Sequence, residues 1–480
     1  MAFADALTDA VLSTRRASFD RALRVVEAAA EDRRARGRHG RLPPGPPEPA
    51  AVQTARWLLR PTAFLRGAFA RYGEVFTLRL MGLDPFVCFT SPAAIKEVFT
   101  GSGDDLYAGQ ANIVLEPILG PHSVILLDGP RHMRQRRLLL PPFHGERMRA
   151  YGEAMAEITQ ASIDGWPEGE AFRLQERTQA ITLDVILRTV FGAGAGSEER
   201  ALRQPLEALL TYVANPVWLV PQLRRDYGPG SPGRRLRDLL GEVDAALFAL
   251  LRRHRAATGE GTSILHLLLQ ARDEDGAPMG DDELRDELLT LLVAGHETTA
   301  TALGWAIGLM LESPSTLERA VREVDDALGD GPLDVERMGE LPYLDAVAKE
   351  SLRLAPVIPI VGRRLQRPLR LGGLDLPRGV VAVPNVYLTH HNPRVWPDPD
   401  RFDPERFLGT RVSPYAFLPF GGGIRRCIGM AFALYEMRVV LATILRRVRL
   451  APAPGYRLGL TRRSITFSPT RGLPVVASRR

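Results

Sequence analysis

The residues best suited to chemistry lie around Cys427, in the segment Phe420-Gly-Gly-Gly-Ile-Arg-Arg-Cys-Ile-Gly429. A glycine-rich loop precedes the cysteine, and a mostly apolar helix is predicted to begin at Ile428 and to end near Arg447. A cysteine at a helix N-terminus faces unpaired N–H groups and the positive end of the helix dipole, so its pKa should fall and a thiolate should be stabilised. The glycines let the backbone pass close to a large flat ligand.

A second polar group, the six residues Ala294-Gly-His-Glu-Thr-Thr299, lies in the middle of a helix predicted from about Asp281 to Leu311. From Leu288 onward this helix is apolar on most faces, so an acid and two threonines there require a reason. His296 and Glu297 do not form the zinc-protease motif, which needs a second histidine at position 300, where the chain has alanine. For His296, packing or a water contact is the favoured interpretation.

Two further pairs of residues lie at spacings that place both members on one helix face. Glu350 and Arg353 are three positions apart, and opposite charges at that spacing can pair. His132 and Arg136 are four positions apart, just after Pro130, which suits the first turn of a helix. Such spacings are common on protein surfaces, so neither pair identifies a site by itself.

The segment around Cys427 resembles the haem-binding signature of the cytochrome P450 family at five positions, namely Phe420, Gly423, Arg425, Cys427 and Gly429. The resemblance extends over about residues 50–478. It implies haem b, iron protoporphyrin IX, with an axial thiolate from Cys427, the kind of ligand that favours O–O cleavage. A dinucleotide-binding loop is excluded, because the third glycine of that motif is missing and no βαβ pattern surrounds the segment.

The resemblance also implies catalytic roles on the central helix. In this family the threonine hydroxyl bonds the carbonyl four residues back, here that of Ala294, and opens the helix locally. Glu297 and Thr298 would then relay protons as positioned acid–base groups. A polar kink without a relay role is the open alternative.

Further assignments from the resemblance concern the cofactor, the fold and the substrate. Propionate-binding positions, suited to charge-assisted bonds, are His132, Arg136, Arg363 and Arg425. Glu350, Arg353 and Arg406 are expected to form a buried structural triad that holds the cysteine loop. The resemblance also implies an apolar substrate cavity. Its expected lining residues are Ile113, Val114, Leu115, Trp218, Ala294, Val357 and Ile358. For each of them, a place in the ordinary core is the alternative.

The remaining pattern predicts one large, mostly helical domain. Alternating residues near 73–89 predict a hairpin, the segment from about 130 to 350 is helical, and short strands return near 357–385 and 456–477. The resemblance implies the mainly α, triangular cytochrome P450 fold with small β-sheets. That domain is expected over residues 50–480, after an N-terminal helix and a proline-rich hinge in residues 1–49.

Composition indicates a globular protein with a mixed surface. The 480-residue chain has a net charge of +6 and 25% charged residues, and no nucleic-acid-binding module is recognisable. No apolar run is long enough for a membrane-spanning helix, and Cys88 and Cys427 form no disulfide framework, so a cytoplasmic location is expected. Cys88 lies in a short apolar strand and is interpreted as a core residue.

The resemblance implies a monooxygenase, and the predicted apolar lining favours a fatty-acid-like or terpenoid-like substrate that is hydroxylated with dioxygen. Electrons are expected from a separate ferredoxin or flavodoxin with its reductase, because no flavin or iron–sulfur segment is recognisable. An outward-facing basic docking cluster is predicted from Arg131, Arg134, Arg137 and Arg426.

Three alternatives to this function stay open. The first is a peroxide-driven peroxygenase of the same fold, although such relatives tend to carry Arg-Pro in place of Glu297-Thr298. The second is a haem-binding sensor or carrier without turnover. The third is an isomerase or dehydratase on the same scaffold.

Overall fold

The computed structural model describes residues 42–143, 147–192, 197–215, 218, 225–256, 263–329, 331 and 333–480. The N-terminal helix predicted within residues 1–40 lies outside the described residues, and the domain boundary at residue 49 stays a prediction. The proline-rich segment contacts a strand of the main body. The Thr77 N–H donates to the Pro44 carbonyl at 3.0 Å, and the Thr77 hydroxyl donates to the Pro43 carbonyl at 2.7 Å.

Helices make up most of the described chain. They are α1 (Ala50–Leu59), α2 (Pro61–Tyr72), α3 (Pro92–Thr100), α4 (Ala108–Ala111), α5 (Glu116–Leu119), α6 (Gly129–Leu139), α7 (Arg147–Asp164), α8 (Leu174–Phe191), α9 (Ser197–Val213), α10 (Pro232–Ala256), α11 (Ile264–Gln270), α12 (Asp281–Glu312), α13 (Pro314–Leu328), α14 (Pro342–Leu354), α15 (Val386–His390) and α16 (Met430–Arg447). Within the described ranges, no helix is both long enough and apolar enough to span a membrane.

The strands are short, and they flank the helical body in small sheets. They are β1 (Val75–Leu78), β2 (Phe86–Phe89), β3 (Leu106–Tyr107), β4 (Ala171–Arg173), β5 (Arg363–Leu365), β6 (Leu369–Leu371), β7 (Leu374–Leu376), β8 (Val381–Pro384), β9 (Val448–Pro452), β10 (Leu460–Arg463), β11 (Thr466–Pro469) and β12 (Pro474–Arg479). The largest sheet has the order β1-β2-β8-β5-β3, and a three-stranded sheet has the order β4-β12-β9. β6-β7 and β10-β11 are separate hairpins. The predicted hairpin near 73–89 is confirmed as the antiparallel pair β1-β2.

The longest helix, α12, has nearly the bounds that the sequence predicts. Its 32 residues extend over about 48 Å at 1.5 Å per residue. At its start the Glu283 carboxylate accepts a hydrogen bond from the Gly280 N–H at 3.0 Å, and acidic residues fill the first turn, where the helix dipole favours them. α12 packs against α8, α14 and α16, and all side chains from Thr299 to Met310 are buried.

The two cysteines have different environments. Cys88 lies in β2, has no exposed surface, and packs in an apolar cluster with Trp57 and Phe467, so its predicted core role is confirmed. Burial raises the pKa of its thiol to about 12. Cys427 lies in the turn before α16, which begins at Met430 and not at Ile428. The predicted helix start was wrong by two residues, because residues 428 and 429 form a turn first.

Candidate functional site

The loop before Cys427 is closed by backbone hydrogen bonds. The Cys427 N–H donates to the Phe420 carbonyl at 3.0 Å, and the Arg426 N–H donates to the Gly423 carbonyl at 3.1 Å. Gly423 has a φ of 66°, a left-handed conformation that favours glycine. A Cβ atom at Gly423 would overlap the carbonyl oxygen of Phe99 in α3, so this loop needs a glycine for space as well as for conformation.

Cys427 is an exposed residue, although protein surrounds its thiol. The residue counts as exposed, yet burial raises the pKa of its thiol, against the opposing effects of the Gly429 N–H, Arg136 and Arg426. Both observations fit a sulfur at the floor of an internal cleft. The lowered pKa predicted from the helix N-terminus was therefore wrong for the protein alone, because desolvation outweighs the nearby donors and cations. A coordinating metal ion would remove the proton outright.

The four predicted propionate-binding residues lie together. His132 is buried, and burial together with the charges of Arg425, Arg136 and Arg363 lowers its pKa to about 3. Burial, with a smaller contribution from the neighbouring Arg425, lowers the pKa of Arg363 to about 10. The pKa of Arg425 is also lowered to about 10 by burial. These lowered pKa values come chiefly from burial, and repulsion among the neighbouring arginines adds to it.

The negative charge at this cluster comes from Asp128, which is already heavily engaged. Its carboxylate accepts hydrogen bonds from the Gly109 and Gln110 N–H groups at 2.9 and 3.0 Å and pairs with Arg425. Within the described residues, the buried Nδ1 of His132 has no hydrogen-bond partner. A ligand with two carboxylates would supply the missing charge and acceptors. The donor set therefore fits the two propionates of a haem above an accessible cysteine.

The middle of α12 carries an accessible polar stretch. The Thr298 hydroxyl donates to the Ala294 carbonyl at 2.6 Å, which is the hydrogen bond that the family resemblance implies. Ala294 is exposed, whereas the following turns of the helix are buried. An exposed alanine in the interior of a long packed helix indicates open space beside that helix face.

Glu297 is held by two residues that the sequence did not reveal. Gln179 of α8 donates from Nε2 to Glu297 Oε2 at 2.6 Å, and Arg463 of β10 donates from Nε to Oε1 at 3.1 Å. The Glu297 side chain is 19% exposed, so water can reach it. No sequence pattern could link Arg463 to Glu297, because 166 positions separate them.

His296 packs against the neighbouring helix α8. Its ring lies 3.1 Å from the Thr182 hydroxyl, which also lies in hydrogen-bond range of the His296 carbonyl. Burial lowers the pKa of His296 to about 4. Among the described residues, no group of three or more His, Cys, Asp or Glu side chains could hold a metal ion. The packing interpretation of His296 is confirmed.

Glu350 and Arg353 form a fully buried ion pair. Arg353 Nε donates to Glu350 Oε2 at 2.6 Å and its Nη2 donates to Oε1 at 2.8 Å. Arg406 Nε lies 3.5 Å from Glu350 Oε1, so the three residues meet as predicted. Arg353 Nη1 also donates to the His390 carbonyl at 2.7 Å. His390 Nε2 in turn accepts from the Leu418 N–H at 2.8 Å, which connects the triad to the cysteine loop.

The predicted lining residues differ in exposure. Ile113 is 53% exposed, whereas Val357 and Trp218 are buried. Val114, Leu115 and Ile358 are half-buried. The Val357 carbonyl accepts a hydrogen bond from the Phe467 N–H at 2.8 Å, and the Trp218 Nε1–H donates to the Tyr212 carbonyl at 2.8 Å. Parts of the segment around Trp218, at 216–217 and 219–224, lie outside the described residues.

One prediction about the surface was wrong. Arg134 does not face outward as a free cation, because its Nε bonds Asp273 at 2.6 Å and its Nη1 bonds Glu283 at 2.9 Å. Arg137 likewise pairs with Glu274. Acidic residues near the start of α12 thus neutralise this side of α6. Of the predicted cluster, Arg131 and Arg426 are exposed and form no such ion pair in the part of the chain that the structure describes.

Comparisons with known proteins identify the family of this chain. The cytochrome P450 family matches residues 43–468. The chain is 43% identical over 419 residues to cytochrome P450 135B1 of Mycobacterium tuberculosis, covering 85% of this chain and 86% of the relative. It is 38% identical over 443 residues to cytochrome P450 138 of the same species, covering 92% and 97%.

Solved structures show the same architecture. Retinoic acid-bound cyanobacterial CYP120A1 has a TM-score of 0.80 and 25% sequence identity, covering 92% of this chain and 99% of that one. The haem domain of cytochrome P450DA has a TM-score of 0.79 and 24% identity, covering 92% and 98%. The mainly α fold with small sheets is therefore confirmed. With this family match, these relatives and this fold, the chain belongs to the cytochrome P450 family and is a haem–thiolate monooxygenase, an oxidoreductase.

Proposed function

We propose that this enzyme hydroxylates an apolar, fatty-acid-like or terpenoid-like substrate, using dioxygen and two electrons from a separate donor. One oxygen atom enters a C–H bond, and the other leaves as water with two protons. The observation that supports this most directly is the Thr298–Ala294 hydrogen bond at 2.6 Å, on the one stretch of α12 where an interior alanine is exposed. A sensor or carrier would not need an alcohol and an acid at that position.

The assignment of the cofactor site follows from the two cysteines. Cys88 is enclosed in the core, so we assign the axial thiolate to Cys427. His132, Arg136, Arg363 and Arg425 would hold the two propionates, since they form a cation-rich cluster around the single carboxylate of Asp128. Phe420 and Gly429 would hold Cys427 in position. The Phe420 carbonyl accepts a hydrogen bond from the Cys427 N–H, and the Gly429 N–H faces the Cys427 sulfur.

When bound, haem supplies the activation of dioxygen. The role of the chain is to deliver protons and exclude competing reactions. The Thr298 hydroxyl is fixed by the Ala294 carbonyl, and its oxygen can still accept a hydrogen bond from water, so it can pass a proton onward. Glu297 is water-accessible and can take up protons, but its carboxylate must leave Gln179 or Arg463 to reach Thr298.

An apolar substrate is supported by the residues that the family resemblance assigns to the substrate cavity. Ile113, Val114, Leu115 and Ile358 present aliphatic side chains that are exposed or half-buried, and each buried methylene of a ligand gains about 0.8 kcal/mol. We expect substrates of about 12 to 20 carbons, for which this gain is large. The similar structure of CYP120A1 holds retinoic acid, a molecule of that character.

The electron donor is proposed to be an acidic ferredoxin or flavodoxin with its reductase. Members of the family generally receive electrons from redox partners. Arg426 is exposed next to Cys427, and Arg131 is exposed on α6. Positive charge at that surface would steer an acidic partner toward the cysteine loop. We further propose that the protein works in the cytoplasm, where such partners occur.

The test of this function combines spectroscopy with turnover. Reduced wild-type protein with carbon monoxide should show an absorption band at about 450 nm. The family takes its name from this band, which depends on the thiolate ligand. Cys427→Ser should lose this band, while Cys88→Ser should keep it. Product should form with NADPH, reductase and ferredoxin. Product formation with peroxide alone would favour the peroxygenase, and absence of any turnover would favour the sensor.

A further inference from the structure

Asp286 of α12 is a buried carboxylate that faces the loop after α5. Its side chain is 5% exposed. Its Oδ2 atom accepts a hydrogen bond from the His122 N–H at 2.8 Å and lies 3.1 Å from Nδ1 of the His122 ring. Asp286 therefore binds both the backbone and the side chain of one loop residue, although 164 positions separate the two in sequence.

The Asp286 carboxylate is also held from its other side. Arg285 Nη1 donates to Asp286 Oδ1 at 2.8 Å, and Arg285 Nε donates to Asp244 Oδ1 of α10 at 2.7 Å. The Arg285 side chain is 12% exposed, so solvent screens these charges only in part. Because each Asp286 oxygen has its own donor, the carboxylate keeps one orientation toward the loop. If Asp286 were removed, Arg285 would keep Asp244 as its partner.

The loop fits closely against α12 at residues 120–123. Gly120 has a φ of 83°, and a Cβ atom there would overlap the Asp286 carboxylate. One turn further along α12, the Thr290 hydroxyl lies 2.7 Å from the Ser123 hydroxyl. Two successive turns of the helix thus fasten this loop. We call the contacts of Asp286 with Gly120 and His122 the loop clasp.

The loop clasp lies between two parts of the site along the chain. On one side, α5 packs against α12, and the proposed lining residues Ile113–Leu115 come directly before α5. On the other side, the Val124 carbonyl accepts a hydrogen bond from Arg425 Nη1 at 3.0 Å, so the chain is tied to the proposed propionate cluster. Since the chain is continuous, the position of residues 113–119 depends on where residues 120–123 are held.

We propose that Asp286 determines ligand specificity by holding residues 120–123 on α12 and thereby placing the lining segment 113–119 for an apolar ligand. Asp286 acts through the loop, so it is a positioning residue and not a catalytic residue. Without the loop clasp, the lining segment would adopt other positions as well. The affinity for a ligand that contacts this segment would then fall with the fraction of molecules that can bind it. This inference rests on the proposed function, which assigns residues 113–115 to the substrate.

The experiment measures binding of two azoles to the haem-loaded protein by the shift of its Soret absorption band. Imidazole and 1-dodecylimidazole offer the same nitrogen atom to the iron, but only 1-dodecylimidazole carries an apolar chain that can contact the lining. Wild type should bind 1-dodecylimidazole more tightly than imidazole. Asp286→Ala should weaken 1-dodecylimidazole binding by about tenfold, because it releases both His122 contacts with a charged group. Its affinity for imidazole should equal that of wild type.

Three further variants separate the loop clasp from the charge of Asp286. Gly120→Ala pushes the loop away from an intact carboxylate and should weaken 1-dodecylimidazole binding to a similar extent. His122→Ala keeps the backbone hydrogen bond, so it should give a smaller loss, and it supplies the answer if Asp286→Ala does not fold. Asp282→Ala removes an exposed carboxylate one turn earlier in α12 and should leave both affinities unchanged.

Hydrogen–deuterium exchange of residues 113–123 is a second readout, and it should become faster in Asp286→Ala. Faster exchange with unchanged affinity for 1-dodecylimidazole would overturn the proposal, because the loop clasp would then be structural only. Equal losses of affinity for the two azoles would overturn it as well, since the haem site itself would be disturbed. Failure of the proposed function is distinct from these outcomes. It would appear as wild type that forms no product with NADPH, reductase and ferredoxin, and neither readout depends on turnover.

Discussion

Replacing Glu350 with alanine should destabilise the fold strongly, because it leaves two arginines without their shared counter-charge. Arg353 is fully buried, its guanidinium donates to both Glu350 oxygens, and Arg406 Nε lies 3.5 Å from the same carboxylate. Removing one partner of a buried ion pair costs about 3–5 kcal/mol. The Asp403 N–H also loses its acceptor at 2.9 Å, so the segment that follows should loosen.

Asp345→Ala provides a matched control on the same helix. Asp345 pairs with Lys349 at 2.5 Å and lies 3.7 Å from Arg438, but the three side chains are 22%, 32% and 24% exposed, so that loss should be about 0–1 kcal/mol. The assay is the midpoint of urea unfolding, followed by circular dichroism. Glu350→Ala should unfold at a much lower urea concentration than either the control or wild type. Similar midpoints for the two variants would refute the reasoning that a buried pair maintains this region.

Three further predictions concern the site and its surroundings. Thr298→Ala should bind substrate normally but form less product per NADPH consumed, because the proton-carrying hydroxyl is gone; tight coupling in the variant would remove Thr298 from the relay. Burial raises the pKa of Glu287 well above its usual range, so its stabilising contribution is present below about pH 4.3 and is lost as the pH rises through the folded-state pKa. Glu287→Gln should therefore lose less thermal stability than wild type as the pH rises above about 4.3, and identical pH profiles would contradict this. Arg426→Gln should slow the first electron transfer at low salt, whereas Arg134→Gln should not, because Arg134 is already paired with acidic residues. The rate of haem reduction is measured by stopped-flow absorbance, and a slower rate in Arg134→Gln than in Arg426→Gln would contradict the proposed docking surface.

Local patterns predicted the parts of this protein that depend on neighbouring residues. The predicted bounds of α12 were correct to within about one residue. The Thr298–Ala294 hydrogen bond, an i to i−4 contact inside that helix, was predictable through the family resemblance. The Glu350–Arg353 pair follows from a three-residue spacing. Arg406 was predictable only through the family resemblance.

Contacts between distant segments could not be predicted, and they decide the electrostatics. Asp273 and Glu283 fold back onto α6 and neutralise Arg134, so a basic run in sequence did not become a basic surface. His390 bridges Arg353 and the cysteine loop from another helix. The pKa of Cys427 rises although a helix follows, because burial depends on the whole fold and outweighs the local dipole.

The strand β10 carries two adjacent arginines with different surroundings. Successive side chains of a strand point to opposite faces, and here Arg463 reaches Glu297 at 3.1 Å while Arg462 packs on Trp57. Arg463→Gln should therefore lower the product formed per NADPH consumed, since Glu297 loses its ionic partner. Arg462→Gln changes the other face of the strand and should leave that ratio close to the wild-type value. Equal losses in the two variants would mean that the hairpin acts as one structural unit and that the Arg463–Glu297 contact has no separate role.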